Sequence, residues 1–231
     1  MKAASDQKTT VAAEDYVKII YAAQEWQPAE VTTSSLASRL GIGAPSVSEM
    51  VRRLCDQGLV THERYGPVSL TAEGRALALR MLRRHRLVET FLVEKLGYTW
   101  DEVHDEAEQL EHVISDRMVE RMAAAIGDPT RDPHGDPIPS ADGTVDQPDA
   151  IPMAHLDEGE VGRIARLSDA DPDLLRYLGE QGFVLDARVE VRKRHTFAGT
   201  CTVVVGEPDD ATERDLTDVA AAALWLVGRA A

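Results

Sequence analysis

The sequence predicts a mainly α-helical chain with small β elements, and three observations predict it. Residues 8–126 carry apolar positions at helical spacing, interrupted by short turns and by one pair of alternating strands. Residues 127–154 are rich in proline and glycine, which makes regular structure improbable there. Beyond them come short strand-like segments in a unit of about 75 residues, which predicts a small β barrel.

Taken in order, residues 8–26 read as a helix with apolar Val11, Val17, Ile20 and Tyr21. Thr33–Leu40 reads as a short second helix with a Ser/Thr cluster to cap it, and Gly41-Ile42-Gly43 breaks it. A third helix runs from Pro45, favoured in a first turn, to Gln57, where Gly58 stops it. Leu59–His62 and Pro67–Leu70 alternate as two strands around Glu63-Arg64-Tyr65-Gly66. Thr71-Ala72-Glu73-Gly74 opens a long helix to residue 96, and Gly97–Trp100 is a turn. Helical pattern resumes at Asp101 and continues to Ile126, with a bend expected at Ser115-Asp116. Pro129, Pro133, Pro137, Pro139, Pro148 and Pro152 mark a linker. After it, Val161–Leu167, Ala187–Arg192, Cys201–Val205 and Leu224–Val227 read as strands, with a short helix near Leu174–Gln181.

Composition narrows the function classes. No apolar run approaches the ~18 residues of a membrane span. The polar start, Met1 to Lys8, lacks the apolar core of a signal peptide, so a cytoplasmic protein is expected. Cys55 and Cys201 are far apart and form no Cys-x-x-Cys pair, which argues against a disulfide framework or a Cys-rich zinc site. The net charge of −15 is unevenly spread. Residues 91–231 carry 13 basic against 30 acidic residues, whereas residues 36–90 carry 9 against 5. That local excess suits a few phosphate contacts per subunit, and a dimer would double them.

Helix, glycine turn, second helix and hairpin over residues 31–70 form a winged helix-turn-helix pattern. The second helix of such a pair enters the major groove, and its N-terminal residues reach base edges. Here those are Ala44, Pro45, Ser46, Ser48 and Glu49, with Arg52 and Arg53 one or two turns on and Arg64 on the wing as a backbone contact. The bland alternative is a helix-rich enzyme domain with a coincidental hairpin.

A second signal lies downstream. On a continuous helix, steps of four, three and one align His104, Glu108, Glu111 and His112. His85 and Glu89 repeat the i, i+4 spacing on the preceding helix. Imidazole nitrogen and carboxylate oxygen together suit Mn, Fe, Co and Zn. The competing reading is a solvated stripe paired with Arg83, Arg84, Arg86 and Arg117. There is no His-Glu-x-x-His motif, nucleophile elbow or phosphate-binding glycine loop, so little supports an enzyme beyond the same carboxylates.

The chain resembles the diphtheria toxin repressor family of iron- and manganese-dependent regulators. The resemblance rests on Glu14-Asp15-Tyr16-Val17-Lys18-Ile19-Ile20-Tyr21, Pro45-Ser46-Val47-Ser48, Arg84-His85-Arg86-Leu87, the run His104–Val113, and Gly135-Asp136-Pro137-Ile138-Pro139. It implies a winged-helix DNA-binding domain (1–72), a helical metal-binding and dimerisation domain (73–140), a linker (141–154) and an SH3-like β barrel (155–231). It also implies metal-activated repression by homodimers on inverted-repeat operators. By position, the primary metal site would use Asp15, Glu108, Glu111 and His112, and the ancillary site His85, Glu89, His104 and Asp169. Asp171 and Asp173 are weaker alternatives for a further ligand.

Two departures bear on the metal. Iron-responsive members carry Met and Cys where this chain has Asp15 and Glu108. Carboxylates are harder donors than thioether and thiol, and manganese regulators carry Asp and Glu at those positions. The expected cofactor is therefore Mn²⁺, with Fe²⁺ the alternative and Co²⁺ or Zn²⁺ as substitutes in vitro. The short manganese regulators place a Glu where this chain has Lys18, which argues against a close two-metal cluster of their type. Rival classes are a carboxylate/histidine metalloenzyme and a metal-independent winged-helix regulator.

Overall fold

The structure, a computed structural model, describes residues 9–26, 29–64 and 66–230. The polar start, the expected helix start at residue 8, and Tyr65 of the hairpin lie outside the described residues. The chain divides into two compact units. The first holds the residues up to His85 with Glu111–Val113 and Pro139–Thr144; the second holds Arg86–Leu110, Ile114–Ile138 and Val145–Ala231.

In the first unit, α1 (Val11–Glu25) is capped by the Thr10 hydroxyl, which accepts from the Ala13 N–H. Ala13, Tyr16, Val17, Ile20 and Tyr21 form its buried stripe. Val11, read as part of that stripe, is half-exposed because it precedes the first inward turn. Helix α2 (Thr33–Leu40) opens on a reciprocal Thr32/Ser35 capping box and closes on Gly41 in the left-handed region. Helix α3 (Ala44–Asp56) buries Val47, Val51 and Leu54 and leaves its opposite face to solvent. Strands β1 (Val60–His62) and β2 (Val68–Leu70) pair antiparallel, with Thr61 opposite Ser69. At Gly74 a Cβ would lie 1.9 Å from the Leu59 carbonyl oxygen, so only glycine lets the next helix begin against the hairpin. That helix, α4 (Ala72–Phe91), runs into a π-helical turn at Leu92–Leu96.

In the second unit, α5 (Val103–Leu110) and α6 (Asp116–Ala125) pack with the end of α4 around Val88, Leu92, Val103, Ala107 and Met122. The helix expected from Asp101 to Ile126 is thus two helices. The break comes after Leu110, earlier than the bend expected at Ser115, whose hydroxyl caps α6. The segment read as a linker is irregular but not loose. Asp132, His134 and Asp136 are buried, and the Arg86 guanidinium donates to the Pro137 carbonyl at 2.7 Å. Asp132 Oδ1 accepts the His134 and Asp136 N–H groups, closing a turn that replaces secondary structure as the backbone's partner.

The C-terminal portion corrects an expectation. Among the described residues its antiparallel sheet is open, not closed into a barrel, with order β3-β8-β4-β5-β6-β7. The strands are β3 (Ile151–Pro152), β4 (Val161–Leu167), β5 (Arg188–His195), β6 (Thr200–Val205), β7 (Thr212–Thr217) and β8 (Leu224–Ala230). Closure would require β3 to pair with β7. Strand β3 is two residues long and ends at Pro152, which has no N–H to give. Strand β7, Thr-Glu-Arg-Asp-Leu-Thr, presents a charged edge, a usual device against further pairing. Helices α7 (Pro172–Glu180) and α8 (Asp218–Ala222) contribute Leu175, Leu178, Ala220 and Ala221 to a core with Ile164, Phe183, Val191, Val203 and Leu226. No helix among the described residues is long and apolar enough to cross a membrane.

Candidate metal centres and nucleic-acid surface

Within the first unit, Asp15, Glu111 and His112 offer one ligand atom each, all within 4.8 Å of one another. Asp15 comes from α1. Glu111 and His112 stand in the turn after α5, where the chain has left the helical stripe that the sequence suggested. His112 Nε2 lies 2.9 Å from Asp15 Oδ1 and 3.3 Å from Glu111 Oε1. On the other edge of the ring, Nδ1 is 2.8 Å from Glu14 Oε2. A carboxylate only accepts, so the Glu14 contact takes an Nδ1–H and leaves Nε2, beside Asp15 and Glu111, as the nitrogen that would face an ion. Glu14 is itself held by the Thr9 hydroxyl at 3.0 Å. Such a carboxylate behind a histidine fixes ring orientation and raises ligand basicity. Glu111 is fully buried; its Oε1 is 2.6 Å from Lys18 Nζ and its Oε2 is 2.6 Å from His85 Nδ1. His85, expected in the ancillary set, therefore faces Glu111 within this unit.

The second unit holds another group, Glu89, His134 and Asp169, again within 4.8 Å. Glu89 on α4 and His134 in the irregular segment are almost wholly buried. His134 Nε2 donates to the Trp100 carbonyl at 2.7 Å, and the two rings stack. That bond fixes the tautomer and leaves the Nδ1 lone pair directed at the carboxylates, 3.9 Å from Glu89 Oε2. Nδ1 is buried and makes no hydrogen bond among the described residues, as expected of a nitrogen built to hold a cation. His104 Nδ1 lies 3.5 Å from Glu89 Oε1 and 3.6 Å from Asp169 Oδ2, and its Nε2 is 3.7 Å from Glu108 Oε1. Burial pushes the Asp132 carboxyl up to about 7, helped by the Asp136 and Glu89 carboxylates. Burial opposes charge on His134, but Asp132, Glu89 and Asp169 outweigh it and raise its pKa. Burial dominates at Asp132, whereas at His134 the neighbouring carboxylates decide the direction. Both groups supply nitrogen and oxygen donors without sulfur, a set that fits a divalent first-row metal.

The structure thus brings together Asp15, Glu111 and His112 in one unit, and Glu89, His104, Glu108 and Asp169 in the other. The sequence reading missed His134, Asp132 and Glu14. Asp132 and His134 sit in Asp-Pro-His-Gly, whose proline and glycine suggested a linker; a histidine beside an aspartate in a proline/glycine turn was the available signal. Asp171 serves as N-cap of α7, and Asp173 pairs with Arg176 at 3.0 Å.

On α3, Pro45, Ser46 and Ser48 are exposed. Glu49 is bridged by Arg52 at 2.8 Å and Arg53 at 3.1 Å, and these hydrogen bonds hold its carboxyl below the usual range. A cleft of about 480 Å³ between the start of α2, α3 and the wing is lined by Thr32, Thr33, Ser34, Ser48, His62, Arg64 and Gly66. Hydroxyls and the Arg64 guanidinium converging on an open cleft suit a phosphate backbone.

Residues 8–68 match the family described as iron dependent repressor, N-terminal DNA binding domain. Residues 71–140 match iron dependent repressor, metal binding and dimerisation domain, and residues 151–217 match the FeoA domain. The chain is 32% identical over 211 residues to the iron-dependent repressor IdeR of Mycobacterium bovis, covering 86% of this chain and 90% of the relative. The chain belongs to the diphtheria toxin repressor family. It is a metal-activated transcriptional repressor controlling metal-uptake genes, a DNA-binding regulator and not a catalyst. Its partners are DNA, a second copy of the chain and a divalent metal. A solved structure described as a manganese-dependent transcriptional repressor complex with manganese is similar at 52% identity and TM-score 0.89, covering 93% of this chain and 99% of that one. The crystal structure of ScaR with bound Cd²⁺ is similar at 30% identity and TM-score 0.79, covering 93% and 98%.

Proposed function

We propose that this repressor responds to manganese. The observation that carries the reading is the donor set at Asp15, Glu111 and His112, two carboxylates and an imidazole with no sulfur, joined through the family resemblance by Glu108. Hard oxygen donors favour Mn²⁺ over softer competitors, although affinity alone does not, since Zn²⁺ and Cu²⁺ outrank Mn²⁺ at most sites. The manganese repressor at 52% identity supports the same reading. Glu89, His104, His134 and Asp169 are proposed to hold a second ion, with His85 carried over from the resemblance. Residues 73–140 would form the dimer, 141–154 would connect, and the protein would work in the cytoplasm.

Positive charge bound at the first group ties α1, through Asp15, to the chain around Glu111 and His112. Fixing α1 beside the winged helix would set two recognition helices about one DNA turn apart, with Pro45, Ser46, Ser48, Glu49, Arg52 and Arg64 facing an inverted repeat. Linkage then requires that operator DNA tighten the metal as much as the metal tightens DNA. Fluorescence anisotropy on inverted-repeat DNA at fixed salt, with Mn²⁺, Fe²⁺ or no metal, tests this. Tight binding with Mn²⁺ alone is expected. Activation by Fe²⁺ at lower free concentration than Mn²⁺ would replace the reading with an iron repressor, which the name of the mycobacterial relative favours.

A further inference from the structure

We propose that Lys18 is a tethered cation that competes with the metal for Glu111, and so sets the metal concentration at which the repressor responds. The inference rests on the metal reading of Asp15, Glu111 and His112.

Lys18 follows Asp15 by three residues on α1, so both side chains leave the same face of the helix. It is buried, unusual for a lysine unless paired, and its ammonium lies 2.6 Å from Glu111 Oε1. The same oxygen is 3.3 Å from His112 Nε2, which is 2.9 Å from Asp15 Oδ1. Oε1 is therefore the Glu111 oxygen that an ion shared by Asp15 and His112 would use. The other oxygen is engaged by His85 at 2.6 Å. The ammonium thus stands on the one carboxylate atom the metal needs.

Two cations on one buried oxygen repel strongly, because little water screens them. The ammonium must therefore withdraw as the metal arrives, and the loss of its contact with Glu111 lowers metal affinity. A lysine suits this role better than a fixed arginine fork, because its ammonium is a point charge on a flexible stem. The tether keeps it close, so it returns when the ion leaves.

The simpler alternative is that Lys18 only neutralises Glu111 for folding. The two differ in sign at the metal. Removing a competitor tightens metal binding; removing a scaffold cation loosens the site or leaves affinity unchanged.

The test is Mn²⁺ binding to the full chain, with free ion counted by electron paramagnetic resonance, for the parent, Lys18→Met and Lys18→Arg. Lys18→Met should bind its tightest ion at least about tenfold more strongly, and Lys18→Arg should stay within about threefold of the parent. Equal or weaker binding by Lys18→Met, with native helix content by circular dichroism, overturns the role of Lys18 and leaves the metal reading intact. A parent that binds no Mn²⁺ overturns both. Should Lys18→Met fail to fold, the unsubstituted protein decides. Its Lys18 ammonium resonance, followed by ¹⁵N NMR, should shift on addition of diamagnetic Cd²⁺ as the Glu111 contact breaks. An unmoved resonance with Cd²⁺ bound sinks the proposal.

Discussion

Around Asp15, Glu111 and His112 a cation already belongs to the protein: Lys18 touches Glu111 at 2.6 Å. Around Glu89, His134 and Asp169 the cations are arginines shared with neighbouring carboxylates. Arg86 lies 3.7 Å from Asp132 and 3.6 Å from Asp136, and Arg166 lies 2.8 Å from Asp136 and 3.8 Å from Asp169. The first group joins α1 to a short turn; the second is seated on a turn sealed by backbone hydrogen bonds to Asp132. The same donor chemistry is thus set in two electrostatic surroundings. One opposes a metal with its own ammonium and should respond over a range of concentration. In the other, Asp132, Glu89 and Asp169 outweigh burial at His134, and that group should stay loaded.

The harshest way to break this comparison is at the backbone. Gly135 has φ +94°, and a Cβ there would lie 2.0 Å from the Ala165 carbonyl oxygen. Gly135→Ala should cost more than about 3 kcal/mol of stability in urea unfolding and should remove the second ion without touching a ligand. Next comes the division of labour between the histidines. His112→Ala should abolish a metal-dependent gain in operator affinity of about 5–150-fold, measured by anisotropy. His134→Ala should leave part of that gain while reducing bound Mn²⁺ by one ion per chain; equal damage from both would erase the distinction.

A finer test concerns orientation. Glu14→Gln keeps the shape but weakens the acceptor at His112 Nδ1, and should lower Mn²⁺ affinity at the first group by about 10–100-fold. Calorimetry should find the second ion unaffected. The smallest effect lies away from both groups. Arg64→Ala should reduce the slope of log affinity against log salt by about 1 per subunit contact and leave Mn²⁺ binding unchanged.

Much of the fold was legible because it is local. The stripe Ala13, Tyr16, Val17, Ile20 and Tyr21, the Thr32 cap, Pro45 and the Gly58 stop are decided within a few residues of each other. Asp15, Glu111 and His112 were legible by resemblance to a known family, not by spacing alone. Spacing assumed one helix through His112, whereas the helix ends at Leu110 and the turn presents Glu111 and His112.

The sequence by itself determined the winged-helix pattern, the helical segments, the donor types without sulfur and the acidic C-terminal half. Tertiary structure alone decided three things. It brought Lys18 onto a carboxylate 93 positions away and drew the Pro/Gly segment into the interior so that His134 meets Glu89. It also left the sheet open at Pro152 and the charged strand β7. Periodicity and capping report which backbone conformations are favourable residue by residue. Which charges must share a buried space, and which strand edges find partners, depends on contacts between distant segments that no local pattern encodes.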